Sequence, residues 1–154
     1  MYQNEAANYL QKQIETASPA QRVVMLYDGA IKFYLKAKQA IEQGDIEARF
    51  NSNKRATDII AHLLGTLDLE KGGDVANRLY SIYMFIMKRQ MDIDLKNDAA
   101  AADEIVGYLK TLRKSWEEIA SKGVERAQAE ANGESVDPKS ENEANEIVRR
   151  NAVA

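Results

Sequence analysis

Several chemically versatile residue types are scarce in this sequence of 154 residues, which has no cysteine, one histidine and two prolines. The absence of cysteine excludes disulfides and thiolate metal sites, and it agrees with a cytoplasmic location. No apolar run reaches the roughly 18 residues of a membrane-spanning helix. The N-terminal residues lack the basic and apolar regions of a signal peptide. These absences favour a cytoplasmic protein that does not insert into membranes.

Charge of either sign is not in large excess. The formal net charge is −3, and residues 123–154 account for it with seven acidic and four basic side chains. Residues 1–122 carry 17 charges of each sign, and no helical segment has a basic stripe. Nucleic-acid binding depends on clustered cations that neutralise phosphates, so the sequence predicts no nucleic-acid partner.

Residues that commonly perform catalysis or bind metals do not form a recognisable pattern. His62 is the only histidine, and no Glu-x-x-His pair of the kind found in di-iron bundles is present. Motifs of the GxGxxG, Walker and GxSxG types are absent. The acidic segment 92–98 differs from a calcium loop because Asn97 stands where that loop needs glycine. We therefore predict a protein that is not an enzyme and that holds no cofactor or metal.

Helical periodicity dominates the rest of the sequence. Residues 18–21, Ser-Pro-Ala-Gln, form a capping box with proline at the first helical position. Asp45 and Asp74 are expected N-caps, and Gly44 and Gly123 are expected helix ends. The apolar spacing predicts helices over residues 3–14, 19–43, 46–67, 75–96 and 100–122.

The predicted fold is all-α, an antiparallel four-helix bundle with a short N-terminal helical segment and a mobile polar C-terminal tail. The bundle domain is assigned to residues 1–122. The tail, residues 123–154, is poor in large apolar side chains and favours helix only at 124–131 and 140–150.

The apolar faces of the four long helices differ in width. On a helical wheel, helices 46–67 and 100–122 have apolar arcs of about 140° and 160°, which suit one buried face. Helices 19–43 and 75–96 have arcs of about 200°. Two explanations of these wide arcs remain open. Helices 19–43 and 75–96 are the inner pair of the bundle, or part of their apolar surface forms a groove for another helix. Residues 3–14 of the chain or an amphipathic partner would fill such a groove.

Two sequence motifs and one tryptophan resemble the flagellar secretion chaperones that guard flagellin. The first motif is Ser18-Pro19 with Val23, residues 25–30 and Ala37. The second is residues 67–76, LDLEKGGDVA, followed by residues 79–83, LYSIY, and the tryptophan is Trp116. The resemblance covers about residues 2–122.

Two parts of the chain depart from the family pattern. After Arg89 the family usually has a small residue and asparagine, whereas this chain has residues 91–94, Met-Asp-Ile-Asp. The tail after residue 123 matches no family pattern.

The resemblance implies a cytoplasmic helical chaperone whose partner is the disordered C-terminal segment of flagellin. In this family the client segment becomes helical as it wraps the bundle, which prevents early polymerisation. The complex is then delivered to the flagellar export gate. The chaperone's own N-terminal segment covers part of the groove until flagellin displaces it.

The wide apolar faces and the resemblance together predict a client-binding surface. Leu10 is assigned to the self-covering segment and Tyr9 to its edge. The remaining predicted client-binding residues are Met25, Leu26, Tyr27, Tyr34, Tyr80, Tyr83, Met84 and Met87. A monomer or weak homodimer is expected. The alternative is a structural bundle that self-associates through this apolar surface and has no flagellin client.

Overall fold

A computed structural model describes residues 2–133, with side chains described from residue 4 onward. This part of the chain is helical and contains no strand. The helices are α1 (Tyr2–Thr16), α2 (Pro19–Gln43), α3 (Ile46–Gly65), α4 (Gly73–Arg89), α5 (Met91–Lys96) and α6 (Ala99–Ala131). The all-α prediction is therefore confirmed.

The start of α2 follows the predicted capping box. The backbone N–H of Gln21 donates to Ser18 Oγ at 3.2 Å, and Ser18 N–H donates to Gln21 Oε1 at 2.8 Å. Pro19 occupies the first turn, where a missing N–H costs no helical hydrogen bond. Gly44 ends α2 at φ 69°, a left-handed conformation that glycine adopts without strain.

The N-cap predictions for α3 and α4 have different outcomes. Asp45 caps α3 by accepting from Ala48 N–H at 3.0 Å, as predicted. The prediction that Asp74 caps the next helix is wrong, because α4 already begins at Gly73. Asp68 instead organises the preceding loop, since its carboxylate accepts from the N–H groups of Glu70 and Lys71. This Asx turn explains the aspartate in the LDLEKGGD motif.

One predicted helix is divided in the structure. Residues 75–96 were expected to be continuous, but α4 ends at Arg89 and α5 begins at Met91. At the junction Ile93 N–H donates to Gln90 O three residues earlier, and that same carbonyl also accepts from Asn53 Nδ2 at 3.1 Å. The backbone bond spans three residues instead of the four of an α-helix, and Asn53 binds the same carbonyl from α3. Together these two contacts interrupt the α-helical hydrogen-bond pattern.

The last helix is longer than predicted. Gly123 does not end it, because α6 continues to Ala131. Glycine costs about 1 kcal/mol in a helix interior, and the following residues of high helix propensity offset that cost. The helical propensity at 124–131 is thus confirmed. The predicted helix at 140–150 and most of the predicted tail lie outside the described residues.

Four helices form the bundle predicted from sequence. α2 packs against α3 and α6, α3 packs against α4, and α4 meets α6, so α2 and α4 are diagonal neighbours. Their side chains meet in the core, where the Tyr27 and Tyr83 hydroxyls are hydrogen-bonded. Within the described range 2–133, no helix combines the length and apolar character needed to cross a membrane.

Candidate functional site

Three of the predicted client-binding residues are core residues. Tyr27, Tyr34 and Tyr83 are almost completely buried, so the structure corrects their assignment to a surface groove. Their rings fill the space between the helices, while their hydroxyls remain hydrogen-bonded. Tyr27 pairs with Tyr83, and Tyr34 lies 3.4 Å from Thr57 Oγ1.

The buried tyrosines have perturbed ionisation. Burial raises the pKa of Tyr34 and that of Tyr83 to about 12, because an ionised phenolate would lose its hydration. The pKa of Tyr27 is raised further, by burial first and then by the neighbouring Tyr83 hydroxyl. These groups are therefore neutral structural residues at neutral pH.

The exposed apolar surface of α4 contains the other three predicted residues of that helix. Tyr80 and Met84 are 40% and 43% exposed, and Met87 is half-buried. Spacings of four and three residues place them on one stripe of the helix. Met91, at the start of α5, is also exposed and follows the stripe by four more residues.

Contacts on the other flank of α4 show which way this stripe faces. Phe85 packs edge-to-face on Tyr108 of α6 with ring centroids 5.5 Å apart. Arg89 Nε donates to Glu104 of α6 at 2.8 Å. These contacts orient that flank toward α6, so the Tyr80–Met84–Met87 stripe lies on the side of α3.

The neighbouring flank of α3 also exposes apolar side chains. Ile46 and Phe50 are more than half exposed, and Leu64 is partly exposed. Asn53 bonds to Gln90 and Arg49 to Asp94, so α3 and the α4–α5 segment run antiparallel here. We define the α3–α4 groove by the exposed and half-buried apolar residues of this face: Ile46, Phe50, Leu64, Tyr80, Met84, Met87 and Met91.

A polar cluster fixes one end of this groove. Arg49 and Asn53 are buried, and Asn53 Nδ2 lies 2.9 Å from Asp94 Oδ2. Arg49 also donates to Asn97, whose φ of 50° is left-handed. Sequence reasoning missed this cluster because charged and amide residues on a helix are usually exposed.

A second cluster joins α4, α5 and α6. Arg89 donates to Asp92, Asp98 and Glu104. Because Asp94 pairs with Arg49, each aspartate of the acidic segment 92–98 has an arginine partner. The pKa of Asp92 is lowered, mainly by its bond to Arg89. The pKa of Asp98 is lowered, first by the Ala101 backbone N–H and then by Arg89. Among residues 2–133 no three histidine, aspartate or glutamate side chains are placed so that they could hold a metal ion together.

The other two predicted residues of α2, Met25 and Leu26, lie away from the α3–α4 groove. Leu26 is half-buried and packs against the core. Met25 lines a separate depression of about 730 Å³ between α1, α2 and α6. We call it the α1–α2–α6 cleft; its lining includes Gln13, Ala17, Val24, Met25, Asp28, Glu117, Ala120, Ser121, Val124 and Glu125.

The apolar side chains of α1 are exposed. Tyr9 and Leu10 are 72% and 51% exposed, and Ile14 is 46% exposed. Leu10 and Ile14 are four residues apart, so they share one face of the helix. Within the described residues that face is open to solvent, and α1 does not cover the α3–α4 groove. A covering role for Tyr9 and Leu10 therefore stays a prediction.

Four residues of the α3–α4 groove were not among the predicted site residues: Ile46, Phe50, Leu64 and Met91. Ile46 and Phe50 are four residues apart, a helical spacing that is visible in the sequence. The apolar arc of about 140° predicted for helix 46–67 rests on apolar residues in 59–67, which include Leu64 but neither Ile46 nor Phe50. Met91 continues the helical spacing of Met84 and Met87, so the sequence pattern also indicates this residue.

Comparison with known proteins assigns the family. A model described as flagellar protein FliS matches residues 1–123. The chain is 36% identical to the flagellar secretion chaperone FliS of Salmonella typhimurium over 110 residues, 71% of this chain and 82% of that protein. It is 38% identical to FliS of Campylobacter jejuni over 120 residues, 77% of this chain and 94% of that protein.

A solved structure supports the fold independently of close sequence similarity. A crystal structure described as a flagellar chaperone from bacteria aligns with a TM-score of 0.64 at 16% identity, covering 79% of this chain and 99% of that one. The helical bundle is thus shared, and the sequence match extends across it. The chain belongs to the FliS family of flagellar secretion chaperones.

Proposed function

We propose that this chain is a cytoplasmic chaperone for the disordered C-terminal segment of flagellin. By covering that segment it prevents premature polymerisation, and it escorts the subunit to the flagellar export apparatus. The observation that carries the proposal is the exposed α3–α4 groove on a bundle of the FliS family.

The chemistry of the groove suits an apolar helical client. Methionine adapts its flexible side chain to different shapes, and tyrosine buries a ring while its hydroxyl stays in water. Full burial of one such apolar side chain contributes about 1.5–3 kcal/mol. Ordering a disordered segment costs roughly 2–5 kcal/mol, so several groove residues must contribute together.

The position of α1 supports a self-covering role for its apolar face. Only Ala17 and Ser18 separate α1 from α2, and α1 from Asn4 onward is exposed up to that link. We propose that Leu10 enters the groove in the absence of flagellin, with Tyr9 at its edge. A client helix would then replace an intramolecular helix of similar character.

The remaining predicted residues are assigned by their exposure. Tyr80, Met84 and Met87 line the proposed client surface, whereas Tyr27, Tyr34 and Tyr83 support it from the core. Met25 and Leu26 lie on α2, and neither belongs to the groove defined above. The client would contact Met25 only if the client segment extended into the α1–α2–α6 cleft.

The test is a calorimetric titration with a peptide from the C-terminal end of the same organism's flagellin. Circular dichroism of the mixture is recorded in parallel. We expect one-to-one binding and a helical signal larger than the sum of the separate components. Absence of both signals, with intact flagellin also failing to bind, would contradict the proposal.

Light scattering coupled to size-exclusion chromatography distinguishes the self-associating alternative. A chaperone with an open groove is expected to elute as a monomer or weak homodimer and to form a defined complex with the client. A stable homodimer that the flagellin peptide does not dissociate would instead assign the apolar surface to self-association.

A further inference from the structure

The α1–α2–α6 cleft is distinct from the α3–α4 groove and is built partly by an extension of the family fold. Its apolar floor includes Val24, Met25 and Ala120. Its outer wall includes Val124 and Glu125, which follow the family match over residues 1–123. The cleft therefore needs the extended part of α6.

The polar lining of the cleft is acidic. Asp28 and Glu117 both bind Arg113, which leaves one cation between two carboxylates. Glu125 also lines the cleft, and it forms no ion pair with any residue in the described range 2–133. An apolar floor beside unbalanced carboxylates suits an occupant with apolar residues followed by basic ones.

The chain carries such a segment beyond the described residues. Residues 147–150 read Ile-Val-Arg-Arg, two branched apolar side chains followed by two arginines. α6 ends at Ala131, and Gly133 has a φ of 74°, so the chain leaves the helical path there. The segment is therefore tethered close to the cleft.

Residues 134–146 connect the end of α6 to residues 147–150, and this connection is long enough for residues 147–150 to return along α6. At 1.5 Å per residue, positions 121–125 lie about 12–18 Å before Gly133 on the helix. Residues 134–146 can span up to roughly 40 Å when extended. A fold-back at the end of α6 thus brings residues 147–150 level with the cleft without stretching the chain.

We propose that residues 147–150 dock intramolecularly in the α1–α2–α6 cleft. Ile147 and Val148 pack against its apolar floor and Val124, and an arginine of the segment pairs with Glu125. The docked segment covers Met25 and bridges the bundle to the end of α1. This interaction does not depend on the identity of a client.

Disulfide trapping tests the proposal directly because the natural chain has no cysteine. Ser121 lines the cleft, whereas the adjacent Lys122 is exposed and does not. The test pair is Ser121→Cys with Ile147→Cys, and the matched control is Lys122→Cys with Ile147→Cys. A disulfide needs Cα atoms within about 7 Å, so only a docked segment favours the first pair.

Oxidation of dilute full-length protein is followed on non-reducing gels, after circular dichroism has shown that both variants are folded. We expect the Ser121 pair to form an intramolecular disulfide at least fivefold faster than the Lys122 pair. Equal rates in the two pairs would overturn the proposal. A product that is mainly a crosslinked dimer at high dilution would assign the cleft to a second copy and would also overturn it.

A charge reversal tests the assigned ion pair. In the Ser121→Cys, Ile147→Cys background, Glu125→Lys should slow trapping about two- to fivefold, as expected for a partly exposed pair. Adding Arg149→Glu and Arg150→Glu should restore the rate. An unchanged rate in the Glu125→Lys variant would contradict the role of this carboxylate.

Discussion

At the scale of single residues, the Tyr27–Tyr83 pair shows how a buried polar contact can resemble a binding site in sequence. Both tyrosines lie within the motifs that resemble those of the flagellar chaperones, and both lie on helices with wide apolar faces. Their hydroxyls bond to each other across the bundle diagonal. Their structural role is to satisfy each other while their rings fill the core.

Removing one hydroxyl of this pair should destabilise the bundle. Tyr27→Phe leaves the Tyr83 hydroxyl buried without its partner, which costs about 1–3 kcal/mol in the free energy of unfolding. Urea denaturation followed by circular dichroism measures this change. In the double variant Tyr27→Phe, Tyr83→Phe both polar groups are absent, so the second substitution should recover part of the loss. If the double variant instead lost as much free energy of unfolding as the two single variants added together, direct coupling of the two hydroxyls would be contradicted.

Alkaline pH should weaken the fold through the same residues. The folded-state pKa of Tyr83 and that of Tyr34 are raised to about 12, whereas an unfolded tyrosine ionises near 10. Above pH 10 the unfolded state therefore binds fewer protons, and stability falls by up to about 1.4 kcal/mol per pH unit for each such group. Below pH 10 this contribution is fully present.

Urea titrations at pH 8, 10, 11 and 12 measure this dependence. Lysines also titrate in that range, so the wild type is compared with the double variant Tyr27→Phe, Tyr83→Phe. We expect a shallower decline in the variant because two of the perturbed phenols are gone. Identical slopes would show that these tyrosines do not control alkaline stability.

At the scale of helices, the junction between α4 and α5 is held by tertiary polar contacts. Asn53, 1% exposed, donates to Gln90 O and lies near Asp94, and Arg49 bonds to the same aspartate. These bonds attach α5 to α3 and define one end of the α3–α4 groove. Local helix propensity alone does not produce this arrangement.

Asn53→Ala should loosen α5 and lower the stability of the protein. The substitution removes one buried donor from Gln90 O and one from Asp94 Oδ2, while Ile93 N–H and Arg49 still donate to these two groups. The expected cost is about 1–3 kcal/mol, because one of the lost bonds is to a carboxylate. Hydrogen exchange should accelerate selectively at residues 90–96. Asn51→Ala on the exposed face of α3 is the matched control, with an expected change within about 0.5 kcal/mol. Equal effects of the two variants would contradict the assigned role.

The same elements show which structural features the sequence could predict. The capping box at Ser18, the cap at Asp45 and the end of α2 at Gly44 follow from local hydrogen bonding and backbone conformation, so they were correctly predicted. The break at Gln90 depends on Asn53, which is 37 positions away in the chain. Gly123 was misread because a glycine signals a helix end only where neighbouring residues do not favour helix.

The α3–α4 groove was also predictable only in part, because its residues depend on tertiary contacts that helical spacing does not reveal. Helical spacing identified Tyr80, Met84 and Met87 as one apolar stripe, and the structure exposes or half-exposes all three. The same spacing could not separate them from buried Tyr83, because wheel positions do not reveal which flank meets a neighbouring helix. The contact of Phe85 with Tyr108 supplies that information.

At the scale of the whole molecule, this bundle of the FliS family exposes apolar side chains in the α3–α4 groove and on α1. The α3–α4 groove holds methionine and aromatic side chains, and α1 presents Leu10 and Ile14 beside a short link. Burial of these apolar side chains would increase the stability of the bundle, so stability alone does not explain why they are exposed. Their exposure agrees with a surface that exchanges one helical partner for another.

The measurement that tests this account most directly compares flagellin-peptide binding by Met84→Glu with binding by Ser81→Glu. Both residues are exposed on α4, and both variants gain the same charge, but only Met84 lies in the groove. Calorimetry should show at least a tenfold weaker affinity for Met84→Glu, about 1.4 kcal/mol. Ser81→Glu should stay within about twofold of the wild type. With thermal stability unchanged in both variants, equal affinities would contradict the assignment of the α3–α4 groove as the client-binding surface.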